Sequence, residues 1–399
     1  MLNKKKCLFI DHKYHAKTNS TKFLIDALSV SYEVDILFLD DFSIKSLENI
    51  LKKDVDFFLV FQYDFIAPFL LSNDKKVLIV PMYDGTGEMP PVHWLSMRGG
   101  LFLNFSSFLH KIHLGIDLNS IYCQYYPNPD NYPKFDITKN KPDSLFFWER
   151  QPQTGISIDW LAHQINKSPY TPKIIHIHQS ADPGQYTTRH PALIEEIFPG
   201  RLVMTSNWFS SKSMLLECLT KSGIYLAPRK AEGIGFSFLD AIACGLVVCV
   251  HDKPTMNEYI INGKNGLVFY EDLPDFRTVD LESIRARSLE SCRLGHANWC
   301  TFVPVLLAAI DKHLLTPSPK ILKPISPAHA NQIIESFFTD QSVYRSYLYE
   351  LVTQTGSVTI WKSRFPKASV LTRFARKLSN SPVVHQITLA LYSKRKKFL

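Results

Sequence analysis

The sequence lacks any apolar run approaching 18 residues, so no membrane-crossing helix is expected. Its cysteines are Cys7, Cys123, Cys218, Cys244, Cys249, Cys292 and Cys300, and they form no Cys-x-x-Cys pair and no Cys/His ligand spacing. An odd, scattered set of this kind is not a disulfide framework or a zinc site and reads as buried thiols in a reducing compartment. There is no internal repeat and no low-complexity tract. The opening MLNKKKCLFIDH has a basic triplet, a short apolar run, then Asp11 and His12, which reads as a first strand and not as a signal peptide. Acidic residues are missing altogether from Trp361 to Leu399, where ten basic residues fall. Without that tail the net charge of +8 becomes −2, so the body is near neutral and the tail strongly basic.

What is present is a chain of 399 residues with 45% hydrophobic and 13% aromatic content, enough for two domains with large cores. Strand-like runs alternate with helical stretches, as in a parallel sheet with helices on both faces. The first series comprises Lys6–His12, Val34–Leu39, Val55–Phe61, Lys76–Val80, Leu101–Ser106 and Ser120–Tyr126. Asn128–Asp143 holds three prolines and no apolar period. A second series follows, with Ser144–Trp148, Lys173–His178, Arg201–Thr205, Ile224–Ala227 and Leu246–Val250 as strands. The expected organisation is therefore two tandem doubly wound α/β domains, 1–130 and 144–315, joined by a linker at 131–143. A Pro-rich crossing segment with a helix (316–360) and the basic tail (361–399) complete the chain.

The most informative stretch is Ile224–Phe269. A short strand leads into the loop Pro228–Gly235, a helix over Phe236–Cys244, a stop at Gly245 and a second strand. In such βαβ units ligands bind outside the carboxyl end of the strand, at the helix N-terminus. Glycine lets the backbone of Gly233, Ile234, Gly235 and Phe236 approach an anion closely. Glu232 and Asp240 are two carboxylates able to grip different hydroxyls of one ligand. Arg229 and Lys230 stand just before them. Elsewhere, Asp84 lies in an Asp-Gly turn after the fourth strand, with His93 nearby. The turn is ordinary turn chemistry or a substrate contact. His176 and His178 alternate toward one face of a strand, where a packing role is expected because no third metal ligand can be placed.

The run E-G-I-G-F-S-F-L-D-A-I-A-C-G from Glu232, set in the second of two Rossmann-like domains, resembles glycosyltransferases of the GT-B fold. It is most similar to the retaining group typified by glycosyltransferase family 4, also called group 1. That group carries Glu, seven residues, Glu; here the second acid is Asp240. The segment Thr255–Val268 and the linker start Tyr126–Asp130 resemble the same family. The resemblance implies a nucleotide-sugar donor, with Glu232 at the transferred sugar and Asp240 at the ribose. The amides of Ile234 to Phe236 would face the sugar and diphosphate, and Asn257 and Glu258 would join the donor set. The family's arginine is matched by Arg150, while its lysine position reads Thr154. No Asp-x-Asp metal signature lies in a suitable loop, so no metal or cofactor is expected, and Arg229 or Lys230 is the candidate for the missing charge. Asp84 is the candidate sugar or acceptor contact from the first domain.

The reaction implied is transfer of a hexose-type sugar to a hydroxyl of a glycan or lipid-linked acceptor, with retention, in cell-surface polysaccharide synthesis. A cytoplasmic location follows, and the tail, in which Trp361, Phe365, Leu371 and Phe374 interleave with cations, suits peripheral contact with an anionic membrane. No recognised module supports nucleic-acid binding. Two other readings stay open: a non-catalytic subunit that binds a sugar nucleotide or a partner, and a nucleotide-sugar epimerase of related fold.

Overall fold

The computed structural model describes residues 4–153, 155–167, 172–182, 189–317 and 323–354. Thr154 and the tail 361–399, with its expected membrane contact, lie outside the described residues. The first sheet is built from β1 (Lys5–His12), β2 (Tyr32–Leu39), β3 (Phe57–Phe61), β4 (Val77–Val80), β5 (Leu101–Asn104) and β6 (Asn119–Tyr122). All its pairings are parallel, in the order β2-β1-β3-β4-β5-β6. The second comprises β7 (Leu145–Glu149), β8 (Ile174–Gln179), β9 (Leu202–Ser206), β10 (Ile224–Leu226), β11 (Val247–His251) and β12 (Leu267–Phe269). It too is parallel, in the order β12-β11-β10-β7-β8-β9. The expected pair of doubly wound domains is what the chain forms. The central strands are continuous apolar runs because helices cover both faces; Phe57 to Phe61 and Val247 to Val250 are all buried.

The second sheet reverses direction of winding between β7 and β10. That switch point is where ligands settle in such sheets, beyond the carboxyl ends of the strands. The first sheet reverses between β1 and β3.

Two features differ from the sequence reading. β12 and a 35-residue helix, Leu281–Leu315, have no counterpart in it. The helix leaves the second domain and crosses to the first: Ile284 packs under the second sheet, while Leu306 and Ile310 share a core with Cys7 and Tyr32. Tyr126, at the end of the first domain, lies so close to Gly295 that an added Cβ would stand 2.1 Å from its ring. The following helices, Pro327–Thr339 and Gln341–Gln354, pack back on the first domain through Ile333, Ile334, Tyr344 and Leu348. His93 belongs to that seam. It is fully buried, with Nε2 2.6 Å from Asp64 and Nδ1 2.9 Å from the Tyr344 hydroxyl. The expectation of uniformly buried thiols needs correction, because Cys300 is exposed on the outer face of the long helix and Cys123 is half-buried.

Candidate active site

The loop after β10 turns sharply into the helix Phe236–Ala243. Gly235 takes φ +79°, a left-handed conformation that suits glycine, and the Phe238 ring closes over it so tightly that a Cβ there would meet it at 2.0 Å. Among the described residues no side chain caps the helix start. Thr255 fixes the loop from beneath, its hydroxyl donating to the carbonyls of Glu232 and Gly233 at 3.1 and 2.8 Å. Gly233 also meets the other domain: a Cβ would stand 2.8 Å from Met82 Sδ and 2.9 Å from Asp84. The loop after β4 therefore presses directly on the glycine loop.

Four strand ends converge here. Arg150 follows β7, Asp182 follows β8, Arg229 and Glu232 follow β10, and Asp84 follows β4 of the first domain. Arg150 donates from Nε and Nη2 to Asp182 Oδ1 at 3.0 and 2.8 Å. Arg229 Nη2 donates to Asp182 Oδ2 at 2.5 Å, and Gln151 Nε2 to the same oxygen at 3.1 Å. Arg229 Nη1 reaches Asp84 at 2.8 Å and Glu232 at 3.3 Å. The buried Nε of Arg229 has no partner among the described residues. Trp148 backs the set, with the Arg150 guanidinium 4.9 Å from its ring centroid.

Burial is the largest influence on Glu232, Arg229 and Asp182. It pushes the Glu232 carboxyl up, opposed by Arg229 and Arg150. Burial works against charge on Arg229, yet Glu232, Asp84 and Asp182 outweigh it and hold the guanidinium protonated. Burial also works against charge on Asp182, and there the two arginines win and keep its carboxyl below the usual range.

Asp240 sits one helix turn deeper and is 7% exposed. Its Oδ1 accepts from the Tyr132 hydroxyl at 2.8 Å and from Lys212 Nζ at 3.0 Å. Burial raises its carboxyl despite both. Ile234 is buried, and Phe236 is half-buried against Phe23 and Tyr125 of the first domain.

Glu232, Asp84, Arg150, Arg229 and the 233–236 loop are thus brought together. Three candidates are not. Lys230 is exposed beside the cluster. Asn257 bonds Asp252 at 2.8 Å on the surface. Glu258 reaches across to the first domain and accepts from Ser106 Oγ, Ser107 N and Phe108 N at 3.0, 2.6 and 2.9 Å, capping the helix Ser107–Gly115. His176 and His178 share the Ser206 hydroxyl, at 2.7 and 2.9 Å, and His178 stacks on Phe209. They are packed as expected, and burial lowers each imidazole to about 4.

Sequence reasoning missed Asp182, Lys212 and Tyr132. Asp182 was open to discovery, since it lies three residues past the end of a strand adjoining β7, where the switch-point rule places ligand contacts. Lys212 and Tyr132 carry no local signal.

Comparison with known proteins agrees with this geometry. The family model described as "Glycosyl transferases group 1" matches residues 204–275, which include the glycine loop and its helix. No curated protein matches the sequence. Among solved structures, a sucrose-phosphate synthase from Thermosynechococcus elongatus superposes with a TM-score of 0.59 at 11% identity, over 77% of this chain and 99% of that one. The catalytic domain of starch synthase IV from Arabidopsis thaliana, bound to ADP and acarbose, gives 0.53 at 10% identity, over 79% and 100%. A glycosyltransferase from Rickettsia africae gives 0.52 at 12% identity, over 79% and 100%. The chain is a two-domain protein of the GT-B fold, and its residues 204–275 match the group 1 glycosyltransferase model.

Proposed function

We propose that the protein transfers a hexose-type sugar, with retention, from a nucleotide-sugar donor to a hydroxyl of a glycan or lipid-linked acceptor in cell-surface polysaccharide synthesis. One observation carries the reading: two arginines and Glu232 converge at the switch point of the second sheet, facing Asp84 of the first. Bidentate guanidinium groups suit a diphosphate, both in shape and in charge. In this reading Arg150 and Arg229 meet the charge that develops as the diphosphate leaves. Arg229 thereby takes the place of the lysine expected at Thr154, and no divalent cation is needed. The amides of the uncapped helix start add to the same field.

Glu232 accepts hydrogen bonds from hydroxyls of the transferred sugar, and Asp240 receives the ribose in exchange for Lys212 or Tyr132. Asp84 presents its carboxylate to the sugar or the acceptor from the opposite wall. The protein's contribution is positioning and fixed electrostatics in a site the two domains shield from water. Asp240 and the 233–236 loop lie inside the segment similar to the group 1 family, as does Glu232.

The test is donor hydrolysis across a panel of nucleotide sugars. We expect slow hydrolysis of one donor, unchanged by EDTA and reduced at least ~100-fold by Glu232→Gln, as for loss of one preorganised contact to the reacting group. Donor binding with no turnover in the unmodified protein would instead support a non-catalytic subunit.

A further inference from the structure

We propose that Asp182 is a built-in stand-in for the donor's diphosphate, so that donor binding exchanges one anion for another on the same two arginines. This rests on the nucleotide-sugar reading above. Each Asp182 oxygen lies on a guanidinium edge: Oδ1 on Nε and Nη2 of Arg150, Oδ2 on Nη2 of Arg229. These are the bidentate and end-on contacts that phosphate oxygens make with arginine. The carboxylate spans the two side chains much as a pair of diphosphate oxygens would. A carboxylate and a diphosphate cannot use the same N–H groups together.

Charge makes the exchange obligatory. Two guanidinium groups already face three carboxylates, Asp84, Asp182 and Glu232. Adding a diphosphate to all three would place further negative charge among groups only 2.5 to 3.3 Å from the shared cations. In a buried setting that repulsion is poorly screened. Glu232 and Asp84 are reserved for hydroxyl groups, so Asp182 is the carboxylate that leaves. The buried Arg229 Nε, which has no partner among the described residues, supplies an additional donor once the guanidinium turns from Asp182 to the diphosphate.

Asp182 is placed to leave. Its neighbour in sequence, Ala181, is only half-buried, and Asp182, itself buried, lies three residues past β8 in no helix or strand. Among the described residues its backbone makes one bond, Asp182 N to Arg150 O at 2.8 Å. While it stays, it keeps both arginines extended toward the cleft and paired, and it sets a threshold against anions weaker than a diphosphate. Inorganic phosphate and simple carboxylates would have to displace a bidentate internal partner to bind.

The experiment is calorimetric titration of the full chain with UDP, GDP, ADP and pyrophosphate, for the unmodified protein, Asp182→Asn and Asp182→Glu. Asn keeps an oxygen for Arg150 but removes the charge; Glu keeps the charge. The expected result is that the nucleoside diphosphate bound by the unmodified protein binds Asp182→Asn at least ~10-fold more tightly. Pyrophosphate should show the same gain, and Asp182→Glu should stay within ~3-fold of the unmodified protein. A purely structural role for Asp182 predicts the reverse, because loosening Arg150 weakens binding. Equal or weaker binding by Asp182→Asn, with the unmodified protein binding normally, overturns the exchange and leaves the proposed function standing. Failure of both proteins to bind any nucleoside diphosphate overturns both.

Discussion

Two polar seams join the domains, and they are built on opposite terms. At one, Glu258 offers one carboxylate to three donors at the start of the helix Ser107–Gly115. Its neighbours extend the seam, Gln124 Nε2 donating to Glu258 O at 3.0 Å and Tyr125 N to the Tyr259 hydroxyl at 3.2 Å. A negative charge at a helix N-terminus also meets the favourable end of the helix dipole. Every group there is answered by another group of the chain. At the other seam, Arg229 answers three carboxylates and, among the described residues, still holds one buried N–H without a partner. The first seam is a closed bond between domains, and the second is a charge set that the chain's own groups do not balance. A balanced buried cluster is glue; an unbalanced one marks where binding happens.

Three measurements would break or sharpen that contrast. The largest effect is expected from Arg229→Met, which strands Asp84, Asp182 and Glu232 around an apolar side chain. Removing one partner of a buried charge set costs about 3–5 kcal/mol, read by urea unfolding. A loss below ~1 kcal/mol would show that solvent already neutralises the cluster. Next is Glu258→Ala, which uncaps the first-domain helix and loses three charge-assisted bonds, at about 2–3 kcal/mol. Binding of a nucleoside diphosphate should be unchanged, because that contact lies in the second domain. If Glu258→Ala instead weakened binding as strongly as Arg150→Ala does, Glu258 would return to the donor set and the contrast would fail.

The smallest effect is expected behind the charge cluster, at His178, whose ring lies 5.0 Å from Trp148. His178 is buried and lowered to about 4, against an ordinary value near 6.5. The folded state thus resists its protonation while the unfolded state accepts it. Its stabilising contribution is complete above pH 6.5 and is lost as pH falls toward 4. Between pH 6.5 and 5 that amounts to about 2 kcal/mol at 1.36 kcal/mol per unit. His178→Phe, which keeps the stack on Phe209, should flatten the fall in melting temperature over that range. An unchanged slope would mean the imidazole is already solvated.

Local pattern revealed the sheets because central strands of a doubly wound domain are uninterrupted apolar runs. It revealed the glycine loop because a strand, two glycines and a helix are consecutive in sequence. It did not reveal β12, which is only three residues long, nor Leu281–Leu315, whose polar positions and internal Pro304 blur the helical stripe. Asp182 stayed hidden because its partners come from other strands, 32 and 47 residues away. Glu258 shows the converse. Resemblance in sequence assigned it to the donor set, whereas its carboxylate is spent on a helix some 150 residues earlier. Arg229 and Lys230 are adjacent and chemically alike, yet only the fold separates them: one is inside the charge cluster and the other faces solvent.

The return of the last described helices to the first domain has a consequence for how the chain is made. The first sheet is complete in sequence by Tyr122, yet one of its faces is covered by residues 327–354. The second sheet, by contrast, is complete by Phe269. During synthesis from the N-terminus, the half begun first is therefore finished last. Until Tyr344 arrives to meet His93, the surface around Phe65, Val92 and Leu95 stands bare. That interval, and not the finished protein, is when this chain is most exposed to wrong association.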